Sequence, residues 1–124
     1  MTVRAGAESP ASPQVAEPTD RMLMARAALD AALAEAGVMH GHDGGDGRYA
    51  TPVDAERLPG VVVVAERGGR YSVDLYLTAA LVPLEPLADR IRQGVEAGVA
   101  SIGLEERLGD VNVNFLAIEN GAAP

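Results

Sequence analysis

The 124 residues contain no cysteine, no tryptophan and no lysine, and only one phenylalanine and three tyrosines. Without cysteine there is no disulfide, no thiolate nucleophile, no Cys-ligated zinc and no mark of an oxidising compartment. With so few aromatics, a core must be assembled from Val, Leu, Ile and Ala. All ten basic residues are arginines, scattered among 18 acidic residues for a formal charge of -8. Nucleic-acid binding draws on concentrated positive charge to displace counterions, so nucleic acid and bare anionic membrane are poor partners for such a surface. No stretch reaches the roughly 18 consecutive apolar residues of a membrane span, and the opening MTVRAGAESPASPQ lacks the apolar centre of a signal peptide. The expectation is a soluble cytoplasmic protein without direct membrane insertion, peripheral at the membrane only through a partner.

What the chain does contain is enough for one core: 48% of its residues are hydrophobic, and a chain of this length supports a single domain. Residues 1–18 are rich in Ala, Ser, Pro and Glu without a periodic apolar face, which predicts a flexible tail. Thr19 or Asp20 is a suitable N-cap for a first, alanine-rich helix through Met22, Ala25, Leu29, Ala32, Leu33 and Ala36, closed by Gly37. Residues 38–52 (VMHGHDGGDGRYATP) read as loop with room for a short strand. The β-branched run Val61–Ala65 predicts a strand buried on both faces, turned back by Arg67, Gly68, Gly69 and Arg70. In the return strand, 71–81, Tyr71, Val73, Leu75 and Leu77 point one way and Ser72, Asp74, Tyr76 and Thr78 the other.

Pro86 and Glu85 open a second helix, whose apolar stripe is Leu84, Leu87, Ala88, Ile91, Val95, Val99 and Ile102. Arg92 and Glu96 are spaced to pair across one turn of it. Alternation returns in Val111, Val113 and Phe115 against Asn112 and Asn114. A strand, a crossing helix and another strand imply parallel pairing. The predicted fold is α+β, a small mixed sheet of three to four strands with two helices on one face, in the order α-β-β-β-α-β. A single domain over 19–120 and a flexible end at 121–124 complete the layout.

Four segments carry a family resemblance: LPGV (58–61), VDLYL (73–77), PLADRIRQGVEAGV (86–99) and VNVNFLAIE (111–119). With the upstream helix and its Ala36-Gly37-Val38 ending, the chain resembles the alkaline-shock, envelope-stress-response family of bacterial proteins, in particular its actinobacterial members. The resemblance implies a non-catalytic cytoplasmic protein that helps maintain the cell envelope under stress, self-associates and is recruited to the membrane by an anchored relative. It carries no catalytic or cofactor-binding residue. The Gly- and Asp-rich insertion at 41–47 and the Pro- and Ala-rich tail depart from the simplest members.

Read without the resemblance, the residues supply no catalytic equipment. His40, His42, Asp43 and Asp46 are metal-ligand types, but structural zinc takes four protein ligands and no further His or Cys exists to complete a site, so no metal and no cofactor is expected. The alternative for this cluster is a solvated turn. The segment from Asp43 lacks the closing Glu of a calcium loop, and Gly44, Gly45 and Gly47 match neither the dinucleotide fingerprint nor a P-loop. No G-x-S-x-G is present, and Glu105 with Glu106 reads as solvated surface. The more informative pattern is a polar sheet face: Asp74, Tyr76, Thr78, Asn112 and Asn114 share one side if their strands are neighbours. Asparagine is uncommon in strands, so this face is a candidate partner surface, anchored by Tyr76. The other reading is a small ligand- or RNA-binding α+β module of the KH-like kind, which the acidic charge disfavours.

Overall fold

A ten-residue strand with one apolar and one polar side organises the molecule. The computed structural model describes the backbone of residues 8–53 and 56–119, and this central strand is β5 (Tyr71–Ala80) in a set with α1 (Glu8–Leu33), β1 (Val38–Gly41), β2 (Ala50–Val53), β3 (Glu56–Pro59), β4 (Val61–Ala65), α2 (Leu84–Ser101) and β6 (Leu108–Glu119). On one side of β5, β4 pairs antiparallel with its first half and β1 antiparallel with its second half. On the other side, β6 runs parallel along its whole length. The sheet is therefore mixed, and the parallel pair spanned by α2 is the predicted crossover.

The odd-numbered residues of β5 are buried against both helices. Val61, Val63, Tyr71, Val73, Leu75, Leu77 and Ala79 form the sheet's share of the core, Met24, Ala25, Ala28, Leu29 and Ala32 that of α1, and Leu87, Ile91, Val95 and Val99 that of α2. The helices thus occupy one face, as the alternation predicts. They meet through small residues: a Cβ added at Gly98 would lie 3.5 Å from the Ala27 carbonyl oxygen and 3.6 Å from Ala31 Cβ. Tyr71 ties the far end together, with the Arg107 guanidinium 5.0 Å and that of Arg21 5.8 Å from its ring centre, while Arg107 Nη1 donates to Asp20 Oδ2 at 3.2 Å.

Where β1 ends and β4 begins, two glycines are sterically required. Gly60 has φ +92°, and a Cβ there would stand 2.6 Å from both Gly41 Cα and the Tyr76 carbonyl oxygen; one at Gly41 would collide with the Pro59 carbonyl oxygen. The two chain segments converge on Tyr76, whose N–H donates to the Gly60 carbonyl and whose carbonyl accepts from the His42 N–H, both at 2.8 Å.

Several expectations need correction. Helix α1 starts at Glu8, inside the stretch expected to be flexible. Its Ala, Glu and Gln are strong helix formers and Pro10 falls in the first turn, where a missing N–H costs no intrahelical bond, whereas Pro13 and Pro18 stand farther in and each forgo one. Thr19 and Asp20 consequently lie within α1, and the Asp20 carboxylate serves Arg107 instead of capping. Residues 1–7 and 121–124 are outside the described residues. The order is α-β-β-β-β-β-α-β, because β2 and β3 form an additional two-stranded ribbon that sequence patterning reads as loop. Pro52, Pro59 and the charged Glu56 and Arg57 mask it, residues that strands tolerate only where no second neighbour needs their groups. β4 is buried on one face only, Val64 being exposed, and Arg92 pairs with Asp89 at 2.8 Å instead of Glu96.

Candidate functional site

The face of the sheet turned away from the helices carries the even-numbered residues of β5 and their neighbours. Register places Asn112 beside Asp74 and Asn114 beside Tyr76, so four of the five predicted surface residues form two adjacent cross-strand pairs. Asn112 is exposed, while Asp74, Tyr76 and Asn114 are half-buried. The amide of Asn112 donates to Asp74 Oδ1 at 2.7 Å, and that of Asn114 donates to the Leu75 carbonyl at 3.1 Å. These bonds explain asparagine in a strand: each amide satisfies a group on β5 that a hydrocarbon side chain would leave to water.

Thr78 shares the face by register but is not part of the accessible surface. It is fully buried, and its hydroxyl has no hydrogen-bond partner among the described residues. His40 lies opposite it across the β1–β5 ladder, and His40 Nε2 reaches to 3.5 Å from Glu119 Oε2 on β6. That pair bridges the central strand at the level of Thr78 and Ala80, which pairs with Glu119.

Tyr76 does not stand alone either. The ring of Tyr49 lies flat on it, with centroids 3.8 Å apart and planes 9° from parallel, and the Arg48 guanidinium is 5.8 Å from the Tyr49 centroid. Burial pushes the Tyr76 phenol above its ordinary range, reinforced by the Asp74 carboxylate and by Tyr49. Tyr49 was not singled out from sequence; the available signal was an aromatic beside an arginine inside a glycine-rich turn.

That turn is held by its own side chains. The Gly45 N–H donates to Asp43 Oδ1 at 2.8 Å, and the Gly44 N–H donates to His42 Nδ1 at 3.0 Å. Arg48 chelates Asp46, with Nη2 at 2.8 Å from Oδ2, and this hydrogen bond holds the Asp46 carboxyl at about 2. His40, Gly41, His42, Asp43, Gly45 and Pro59 line a shallow open depression of about 360 Å³. Among the described residues no group of three or more His, Asp or Glu is placed to hold a metal ion. The side chains of His42, Asp43 and Asp46 bond within the turn itself.

No protein-family model matches the chain, and neither a curated protein nor a solved structure matches it. The α+β fold is shown by the coordinates, and no helix among the described residues is long and apolar enough to cross a membrane.

Proposed function

We propose that this chain is a non-catalytic interaction protein that works through the helix-free face of its sheet. The observation that carries this reading is the ordered polar patch of Asp74, Asn112, Asn114 and the Tyr49–Tyr76 stack. Its donors and acceptors are fixed by neighbouring strands, and its aromatic centre is rigid. A pre-ordered polar and aromatic patch loses little side-chain entropy on association, which suits a protein interface. The resemblance noted in the sequence supplies the biological setting: a cytoplasmic envelope-stress protein that self-associates and is brought to the membrane by an anchored relative.

One feature favours a second reading as a small ligand- or RNA-binding module: the Arg48–Tyr49–Tyr76 stack, since aromatic and guanidinium planes also receive bases. The carboxylates of Asp43, Asp46 and Asp74 around it oppose a phosphate backbone. Light scattering and capture of membrane-associated partners, comparing the native chain with Asn112→Arg, test the preferred reading. Loss of assembly or capture in the variant is expected. A salt-sensitive mobility shift with RNA, unaccompanied by protein association, would replace it with the second reading.

A further inference from the structure

Strand β6 is bonded to β5 on one side and to no strand among the described residues on the other. At 12 residues it is about twice a typical strand, and an edge of this kind presents a row of unpaired N–H and C=O groups to any extended chain. Proteins commonly guard such edges with proline, lysine or brevity. LGDVNVNFLAIE has none of these. Its two register shifts lie toward the ends of the ladder, next to Val111 and after Phe115, leaving 111–115 regular.

The chemistry along this edge is one-sided. Its charged residues are Asp110 and Glu119, both exposed, and Asp74 on β5 adds a third carboxylate beside Asn112. At its C-terminal end Leu116 is 43% and Ile118 44% exposed, and Leu81, one residue beyond the Ala80 that pairs with Glu119, is 75% exposed. A second copy is the wrong occupant: β6 carries no basic residue to answer another copy's carboxylates, and Arg107 just before it is engaged with Asp20 and Tyr71.

From this we infer that the β6 edge docks an extended segment of a protein partner in which basic and aliphatic side chains alternate, taken up as an additional strand. Main-chain hydrogen bonds supply the attachment, the exposed Asp110 and Glu119 at the two ends of the edge select the basic positions, and Leu116 and Ile118 receive the aliphatic ones. The inference rests on the interaction role proposed above but uses the sheet's edge rather than its face.

The test is NMR titration of the full chain with an end-blocked octapeptide of alternating Arg and Val. Two further peptides serve as comparisons: the same sequence N-methylated at alternate residues, and one alternating Glu and Val. Amide shifts and slowed hydrogen exchange confined to β6 and its immediate neighbours, seen with the first peptide only, are expected. Asp110→Lys combined with Glu119→Gln, both on exposed side chains, should weaken that Kd about tenfold, with shifts otherwise confined to β6 and to the His40 that faces Glu119. Equal binding of the N-methylated peptide, shifts mapping away from β6, or exchange protection of β6 that grows with protein concentration alone would overturn the inference, the last in favour of self-pairing. Peptide binding by a Tyr49→Ala chain that has lost its partners would separate failure of the face from failure of the edge, because Tyr49 stacks on Tyr76 and lies on the glycine-rich turn, not on β6.

Discussion

Thr51 and Thr78 are both buried in this protein, yet the same change to valine should move its stability in opposite directions. The Thr51 hydroxyl donates to the Val61 carbonyl at 2.6 Å, linking β2 to β4. Valine removes that bond and leaves a carbonyl short of a donor, a loss of about 1–2 kcal/mol. The Thr78 hydroxyl is fully buried without a partner among the described residues, so it carries a desolvation cost that no bond offsets; valine of nearly the same shape relieves it, a gain of about 1 kcal/mol. Both residues are β-branched, so strand propensity cancels from the comparison. For a domain near 100 residues, each kcal/mol moves Tm by roughly 4–8 °C. Urea and thermal unfolding followed by circular dichroism should place Thr78→Val above the native chain and Thr51→Val below it. Destabilisation by Thr78→Val of more than about 0.5 kcal/mol would mean that the hydroxyl is hydrogen-bonded in solution, and the burial argument would fail.

Other perturbations probe the packing and the loop. Gly41→Ala drives a Cβ into the Pro59 carbonyl oxygen, so a loss above about 3 kcal/mol or failure to fold is expected in urea unfolding; a mild effect would refute the crossing of the two segments. Gly98→Ala, where the added carbon meets ordinary contacts, should be neutral or raise stability by up to about 1 kcal/mol through helix propensity. The Asp46 carboxyl, held at about 2 against an ordinary 3.8 by Arg48, favours the folded state above pH 3.8, and this contribution fades as pH falls toward 2. A carbon-detected NMR titration should show the low midpoint, and Arg48→Ala should return it to the ordinary range. Tyr76 should ionise above the ordinary tyrosine range in a spectrophotometric titration, with Asp74→Asn lowering its midpoint but leaving part of the shift, since burial is the larger cause.

The parts of the fold legible in the sequence were those with strong periodicity. Alternation in 71–80 identified the core and polar faces of β5, and the stripe from Leu87 to Val99 identified the buried side of α2, because burial on one face imposes a period that composition alone reveals. The β2–β3 ribbon escaped because four-residue strands containing Pro52 and Pro59 have too little alternation to outweigh their turn-forming residues. On the candidate surface, the Asp74–Asn112 and Tyr76–Asn114 neighbours followed from strand adjacency. The burial of Thr78 and the capping of Tyr76 by Tyr49 did not, since both depend on groups brought from β1, β6 and the glycine-rich turn, distant in sequence and unconstrained by any period.

If the helix-free sheet face is a protein interface, an obstruction placed on it abolishes association. The assembly state and membrane-associated partner recovery of Asn112→Arg, measured beside the native chain with circular dichroism confirming that both are folded, decide this. Asn112 is exposed and its amide bonds Asp74, so the added side chain obstructs the face while sparing the core. A folded variant that has lost assembly or its partners is expected; a folded variant indistinguishable from the native chain in both would contradict the interface reading.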